Sequence, residues 1–229
     1  MHIPDGFLDV PTSAGAAIVA AAGVGVCLRR SRQQLDDRTV PLAGMVAATV
    51  FALQMLNFPV ASGTSGHLMG GALAAILVGP SMGALCVTVV LAVQALLFAD
   101  GGLSALGLNV VNLALIGVGI GYASFWLARR MLPERPGSIV AASAFAGTVS
   151  VLASSLAFCL EYALGGATGV PLATVSLAMI GVHLLIGIGE GIITATIVAS
   201  VMATRPDLVW GASDLVGTRP APRPAEHPA

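Results

Sequence analysis

The chain alternates long stretches without charge and short polar breaks. A first apolar run covers about residues 12–28 and is followed by Arg29 to Thr39, which holds four Arg and two Asp. A second run covers about 40–56. Asn57 to His67 then reads NFPVASGTSGH, and its Gly, Ser and Thr mark a loop. Residues 68–99 carry no charge, enough for two short helices broken at Gly79-Pro80. Asp100-Gly101-Gly102 is a turn at the mouth of the bundle. A fifth run covers about 106–127 and ends at Arg129-Arg130, with Pro133 and Pro136 marking the next turn. A sixth covers about 138–162, Gly165 to Gly169 punctuates the chain, and a seventh covers about 172–202. Arg205 to Ala229 is rich in Pro, Arg and Ala and reads as a disordered tail. The pattern predicts an all-α polytopic membrane bundle of about seven transmembrane helices over residues 1–204, with a cytoplasmic tail at 205–229.

Composition supports lipid as the solvent. The 229 residues are 56% hydrophobic and 9% charged, where a soluble domain carries about 25% charge. The net charge of -1 says nothing about nucleic acid, and no basic patch is present to bind it, so no nucleic-acid partner is expected. All ten basic residues are Arg. Loops bearing Arg face the cytoplasm, so the N-terminus is expected outside and the C-terminus inside. All ten Arg then fall on one side, in the cytoplasmic (inner) membrane of a bacterium or archaeon. Cys27, Cys86 and Cys159 lie in apolar runs as an odd set, which argues against a disulfide framework. The first residues are uncharged or acidic, and positive charge comes only after the first apolar run. That is the reverse of a secretory signal. Met1 is expected to stay, because its removal needs a small second residue and His2 is large.

Four histidines are present. His227 lies in the tail, His183 within the seventh run, and His2 and His67 at the outer face. His2 is second in the chain, so the Met1 amine, the His2 backbone nitrogen and a ring nitrogen of His2 can close two fused chelate rings, one five-membered and one six-membered. His67 can supply a fourth nitrogen. Four coplanar nitrogens suit Ni(II) or Cu(II), and low-spin Co(II) adopts the same geometry. The absence of thiolates and of a carboxylate cage argues against structural Zn, Mg or Ca. Read alone, His2 is more often a solvated terminal residue, and His67 more often a loop residue capping the helix that follows.

Met1-His2-Ile3-Pro4-Asp5-Gly6-Phe7-Leu8 resembles the N-terminal signature of the CbiM/NikM family. These are the substrate-binding transmembrane subunits of energy-coupling-factor (ECF) cobalt and nickel transporters. Phe58 to Gly71, Ala95 to Leu103, and His183 to Gly191 are similar to further family stretches, in matching order over about residues 1–202. The resemblance implies a seven-helix subunit with an outward N-terminus, and Met1, His2 and His67 as the metal ligands. It also implies partners: two cytoplasmic ATPase subunits, a transmembrane coupling subunit and, in some systems, a small extra membrane subunit. The ion is cargo, and no resident cofactor is expected.

Imidazole ligands need partners that orient them, and Asp5, Asn57, Thr64 and Ser65 are near enough in sequence, although each also reads as a turn or cap residue. His183 and Glu190 are seven apart and share a helix face. With Glu161 they read as a polar network inside the bundle, since charge within a span is costly and faces the protein interior. A part in passing the metal onward is the other reading.

Two other function classes would leave different marks. An intramembrane metallopeptidase would place His-Glu-x-x-His on a helix, and that string is absent. An ion-gradient-driven divalent-metal carrier would show repeated halves, and no clear repeat is visible. No Gly-x-x-x-x-Gly-Lys-Ser/Thr string and no Lys occur, so ATP hydrolysis falls to partner subunits. Nickel and cobalt are not separated at this level.

Overall fold

The structure, a computed structural model, describes residues 1–32, 34–35, 39–59 and 65–217. Helix α1 spans Val10–Ser31. It starts where the Asp9 side chain accepts from Thr12 N–H (2.9 Å), with Pro11 in the first turn, and ends on Arg29 and Arg30. Helix α2 spans Thr39–Gln54. Strands β1 (Asn57–Pro59) and β2 (Ser65–His67) form an antiparallel pair with Asn57 opposite His67. The stretch expected as a loop is therefore a hairpin whose two ends pair.

Helices α3 (Gly71–Val78) and α4 (Pro80–Leu97) follow. Their break falls at Gly79, whose φ of +85° suits glycine and whose successor, Pro80, opens α4. Helix α5 runs Leu106–Met131 and contains a π-helical stretch, Val110–Gly117. Its wider turns release carbonyls, and α6 (Pro136–Gly165) meets them: Ser154 Oγ donates to Asn112 O (2.8 Å) and Ser150 Oγ to Gly117 O (2.7 Å). Helix α7 spans Leu172–Thr204.

Among the described residues, five helices, α1, α4, α5, α6 and α7, are long and apolar enough to cross a membrane. Helix α2 is apolar but has 16 residues, about 24 Å. Helix α3 has eight residues, all buried. At about 12 Å the helix alone is shorter than about 30 Å of hydrocarbon. The sequence predicts a short helix there, and α3 is short and wholly buried, packed among α2, α4, α5, α6 and α7. The buried residues of α7 (Val175, Met179, His183, Ile186, Glu190, Thr194, Val198) form one stripe. That stripe packs on α6 so closely that a Cβ at Gly191 would overlap Ala144 O. The opposite face of α7 leaves Leu177, Leu185 and Ile192 exposed, and α1 leaves Ile18 and Val19 exposed, as lipid-facing helices do.

The bundle has two unlike ends. One gathers the N-terminal strap, the hairpin and the turns at 98–105 and 165–171. The other gathers Arg29, Arg30, Arg129, Arg130, Arg135 and Arg205 at the opposite helix ends. The tail differs from expectation in part. Residues 206–216 form two 3-10 turns and a short helix α8 (Ser213–Val216), with Trp210 against Gly79 and Arg129 Nη2 3.0 Å from Asp214 Oδ2. An aromatic anchor and an ion pair fold this segment back onto the bundle. Residues 218–229, including His227, lie outside the described residues. The three cysteines are free.

Candidate metal site

The first nine residues form a strap across one end of the bundle. Ile3 N–H donates to Asn109 Oδ1 (2.8 Å), and Ile3 O accepts from Asn109 Nδ2 (3.2 Å) and Gly102 N–H (2.9 Å). Asp5 Oδ1 accepts from Ser104 N–H (2.8 Å) and Ser104 Oγ (2.5 Å). Gly102 lies directly on Asp5, and a Cβ there would overlap Asp5 N and Oδ1. Phe7 packs between Phe158 and Tyr162 at ring-centroid distances of 5.7 and 5.4 Å. Asp9 N–H donates to Gly165 O (2.7 Å) and Ala167 N–H to Phe7 O (3.1 Å). The outcome is a chain terminus turned inward. Met1 is 1% exposed and its amine is buried.

The His2 and His67 rings stack at 4.2 Å with planes 23° apart. Each ring is oriented by one oxygen. His67 Nδ1 lies 2.7 Å from Leu68 O. A carbonyl only accepts, so Nδ1 carries the proton and Nε2 the lone pair. His67 Nε2 is buried without a partner. His2 Nε2 donates to Gln94 Oε1 at 3.2 Å, which leaves the lone pair on Nδ1. Nδ1 is also the only ring nitrogen able to close a six-membered chelate with the His2 backbone nitrogen. It sits 3.1 Å from Asp100 Oδ1 but outside hydrogen-bond alignment. A carboxylate at that distance favours positive charge at Nδ1, carried by a proton or by a metal ion.

Burial prepares these nitrogens. It holds the Met1 amine well below its ordinary pKa, against the opposing pull of Asp100 and Glu190. His67 is lowered well below its usual value by burial and by the neighbouring amine. His2 is lowered by burial, which outweighs the opposing pull of the Asp100 carboxylate. For Asp100, burial raises the pKa, but the His2 and Asn57 contacts outweigh it and the net direction is down. All three nitrogen bases thus favour the neutral form a metal requires, with one anion beside them. Among the described residues, no three or more His, Cys, Asp or Glu side chains cluster to hold a metal. Two imidazoles alone do not complete a coordination sphere.

Of the orienting candidates, Asn57 Nδ2 donates to Asp100 Oδ2 (3.3 Å) and so touches the site one step removed. Asp5 is spent on Ser104, anchoring the strap. Thr64 and the Ser65 side chain lie outside the described residues. Glu190 accepts from Met69 N–H (2.8 Å, Oε2) and Gly70 N–H (2.6 Å, Oε1), clamping the segment that follows His67. His183 is fully buried on the same face of α7. Glu161 does not join them. It accepts from Asn112 Nδ2 (2.6 Å), because the last turns of α6 face the π-helical stretch of α5.

Residues 2–208 match the family model CbiM, "Cobalt uptake substrate-specific transmembrane region". The chain belongs to the CbiM family. It is 44% identical over 211 residues to a Haloquadratum walsbyi protein provisionally described as a metal transport protein, covering 92% of this chain and 94% of that one. It is 41% identical over 210 residues to an Archaeoglobus fulgidus protein provisionally described as a fused nickel transport protein, NikMN, covering 91% and 68%. A crystal structure of a truncated transition metal transporter superposes with a TM-score of 0.82 at 32% identity, covering 89% of this chain and 99% of that one. The chain is thus a cobalt/nickel uptake transmembrane component of the CbiM/NikM type, and not an enzyme.

Several residues around this CbiM-type site escaped the sequence reading. Gln94 orients His2, Asp100 supplies the anion, Asn109 fixes the strap, and Gln54 Nε2 donates to Met69 O (2.7 Å). A signal was available: Gln54, Gln94, Asn109 and Asn112 are amides within uncharged runs, where an unpaired polar group is costly.

Proposed function

We propose that this chain captures Ni(II) or Co(II) at the outer face of the cytoplasmic membrane through the Met1 amine, the His2 backbone nitrogen, His2 Nδ1 and His67 Nε2. The observation that carries the reading is the pair of stacked, buried imidazoles whose uncommitted nitrogens accompany a buried terminal amine. Asp100 balances the charge of the ion. Seven helical segments, α3 among them, carry the chain from an outer N-terminus to a cytoplasmic C-terminus. The gathering of Arg at the end opposite the strap supports that orientation. Two cytoplasmic ATPase subunits and a transmembrane coupling subunit, with a small extra membrane subunit in some systems, drive release inward as in an ECF importer.

The test uses protein with its native N-terminus. His2→Ala and His67→Ala should each weaken Ni(II) and Co(II) binding at least about a hundredfold, more than about 2.7 kcal/mol. Undiminished affinity in either variant contradicts the site. Uptake in cells should need the ATPase subunits. Uptake that persists without them would instead fit a gradient-driven secondary carrier.

A further inference from the structure

Among the described residues, His183 is the histidine that the four-nitrogen capture site does not use. It lies 0% exposed on the inner stripe of α7, two turns before Glu190. Its Nδ1 is 2.8 Å from Met179 O. The carbonyl can only accept, so Nδ1 carries the proton and the lone pair sits on Nε2. That Nε2 is buried and has no partner. A buried polar atom left unpaired costs about 1–3 kcal/mol, and such atoms are rare enough to call for an explanation.

Position supplies one. Strand β2, which carries His67, packs against α7. His183 lies within electrostatic range of both the Met1 amine and His67, and Glu190 within range of the same amine. No three His, Cys, Asp or Glu side chains among the described residues gather closely enough to hold one ion together. His183 therefore does not join both other imidazoles on one ion. A free imidazole nitrogen beside a metal site, but not part of it, is placed to take the ion next.

We propose that His183 Nε2 is the second, transient ligand of the transported ion, receiving it as it leaves Met1, His2 and His67 and passing it inward between α3 and α7. The Glu190 carboxylate, on the same helix face, balances the charge of the dication during the step. Imidazole nitrogen suits Ni(II), and equally Zn(II) or Cu(II), so the relay takes borderline divalent ions rather than Mg(II) or Ca(II). This step rests on the four-nitrogen capture reading.

The discriminating variant is His183→Asn. The Asn amide can still donate to Met179 O from the place of Nδ1, while Nε2 is deleted. The purified variant with its native N-terminus should bind Ni(II) within about threefold of the parent affinity and melt at the same temperature. Radiolabelled Ni(II) uptake by the complete transporter in cells should fall at least tenfold. In a second arm, His67→Ala cripples the capture site, and the residual weak Ni(II) binding should vanish when His183→Asn is added. Uptake within twofold of the parent overturns the relay. So does a loss of binding that matches the loss of uptake, which would mark His183 as structural only. Failure of the capture reading is seen separately, as absence of Ni(II) binding by the parent, and removes the relay with it.

Discussion

Glu190→Gln tests how α7 governs the metal loop. The carboxylate accepts two consecutive backbone N–H groups, Met69 at 2.8 Å and Gly70 at 2.6 Å, and is 2% exposed. A Gln keeps one acceptor oxygen and turns the other into a donor facing an N–H. Each charge-assisted bond contributes about 1.5–3 kcal/mol, and a buried N–H left unpaired costs about 1–3 kcal/mol. The loop can relax part of this, so about 2 kcal/mol should fall on the placement of His67, two residues before Met69. Ni(II) affinity should then drop about thirtyfold with one ion still bound, read by calorimetry on protein with its native N-terminus. Glu190→Asp separates clamp from charge, because it keeps the anion but shortens its reach. The clamp account expects Glu190→Asp to weaken binding too. Parent-like affinity in Glu190→Gln refutes the reasoning. Parent-like affinity in Glu190→Asp alone leaves charge, not geometry, as the cause.

Three further outcomes follow from the same geometry. Gly102→Ala should weaken Ni(II) binding at least about tenfold while leaving the helical circular dichroism intact, because its Cβ would push Asp5 and the strap off the bundle; equal affinity would mean the strap does not set the site. Gln94→Ala should cost about 10–100-fold in affinity, the usual effect of removing the partner that fixes a ligand imidazole, with titration calorimetry as the check. The pH dependence has a definite sign. Burial lowers the pKa values of the Met1 amine, His2 and His67, so these bases stay unprotonated to lower pH than solvated ones. Affinity should therefore fall only about tenfold as pH falls from 8 to 7, the dependence set by the one proton that the His2 backbone nitrogen releases on binding. With a solvated amine, whose pKa is near 8, protons would already compete with the metal there. A loss of about fiftyfold over that single unit, the extra factor of about five coming from amine protonation, contradicts the buried-amine account.

Much of the fold was legible in the sequence. The apolar runs locate the helices, Gly79-Pro80 locates the break between α3 and α4, and the Arg clusters mark one end. The internal position of α3 was not legible, because lipid tails and a protein interior are equally apolar and select the same side chains. His2 and His67 stood out through their place in the N-terminal motif and the Gly-His-Leu loop. Their inward stacking did not, since it depends on Asn109 and Gly102 holding Ile3 from about a hundred residues away. Glu161 was grouped with Glu190 by charge alone. Its partner is an amide, Asn112, on the π-helical stretch of α5, which no run of apolar residues reveals. The folded segment at 206–216 hides within a Pro- and Arg-rich composition, where Trp210 is the one anchor large enough to tie it down.

The most direct test of capture is the nickel K-edge X-ray absorption spectrum of the Ni(II)-loaded protein with its native N-terminus. A planar shell of four nitrogen donors, reduced by one protein nitrogen in His67→Ala, is the expected result. A six-coordinate, oxygen-dominated shell that His67→Ala leaves unchanged would contradict it.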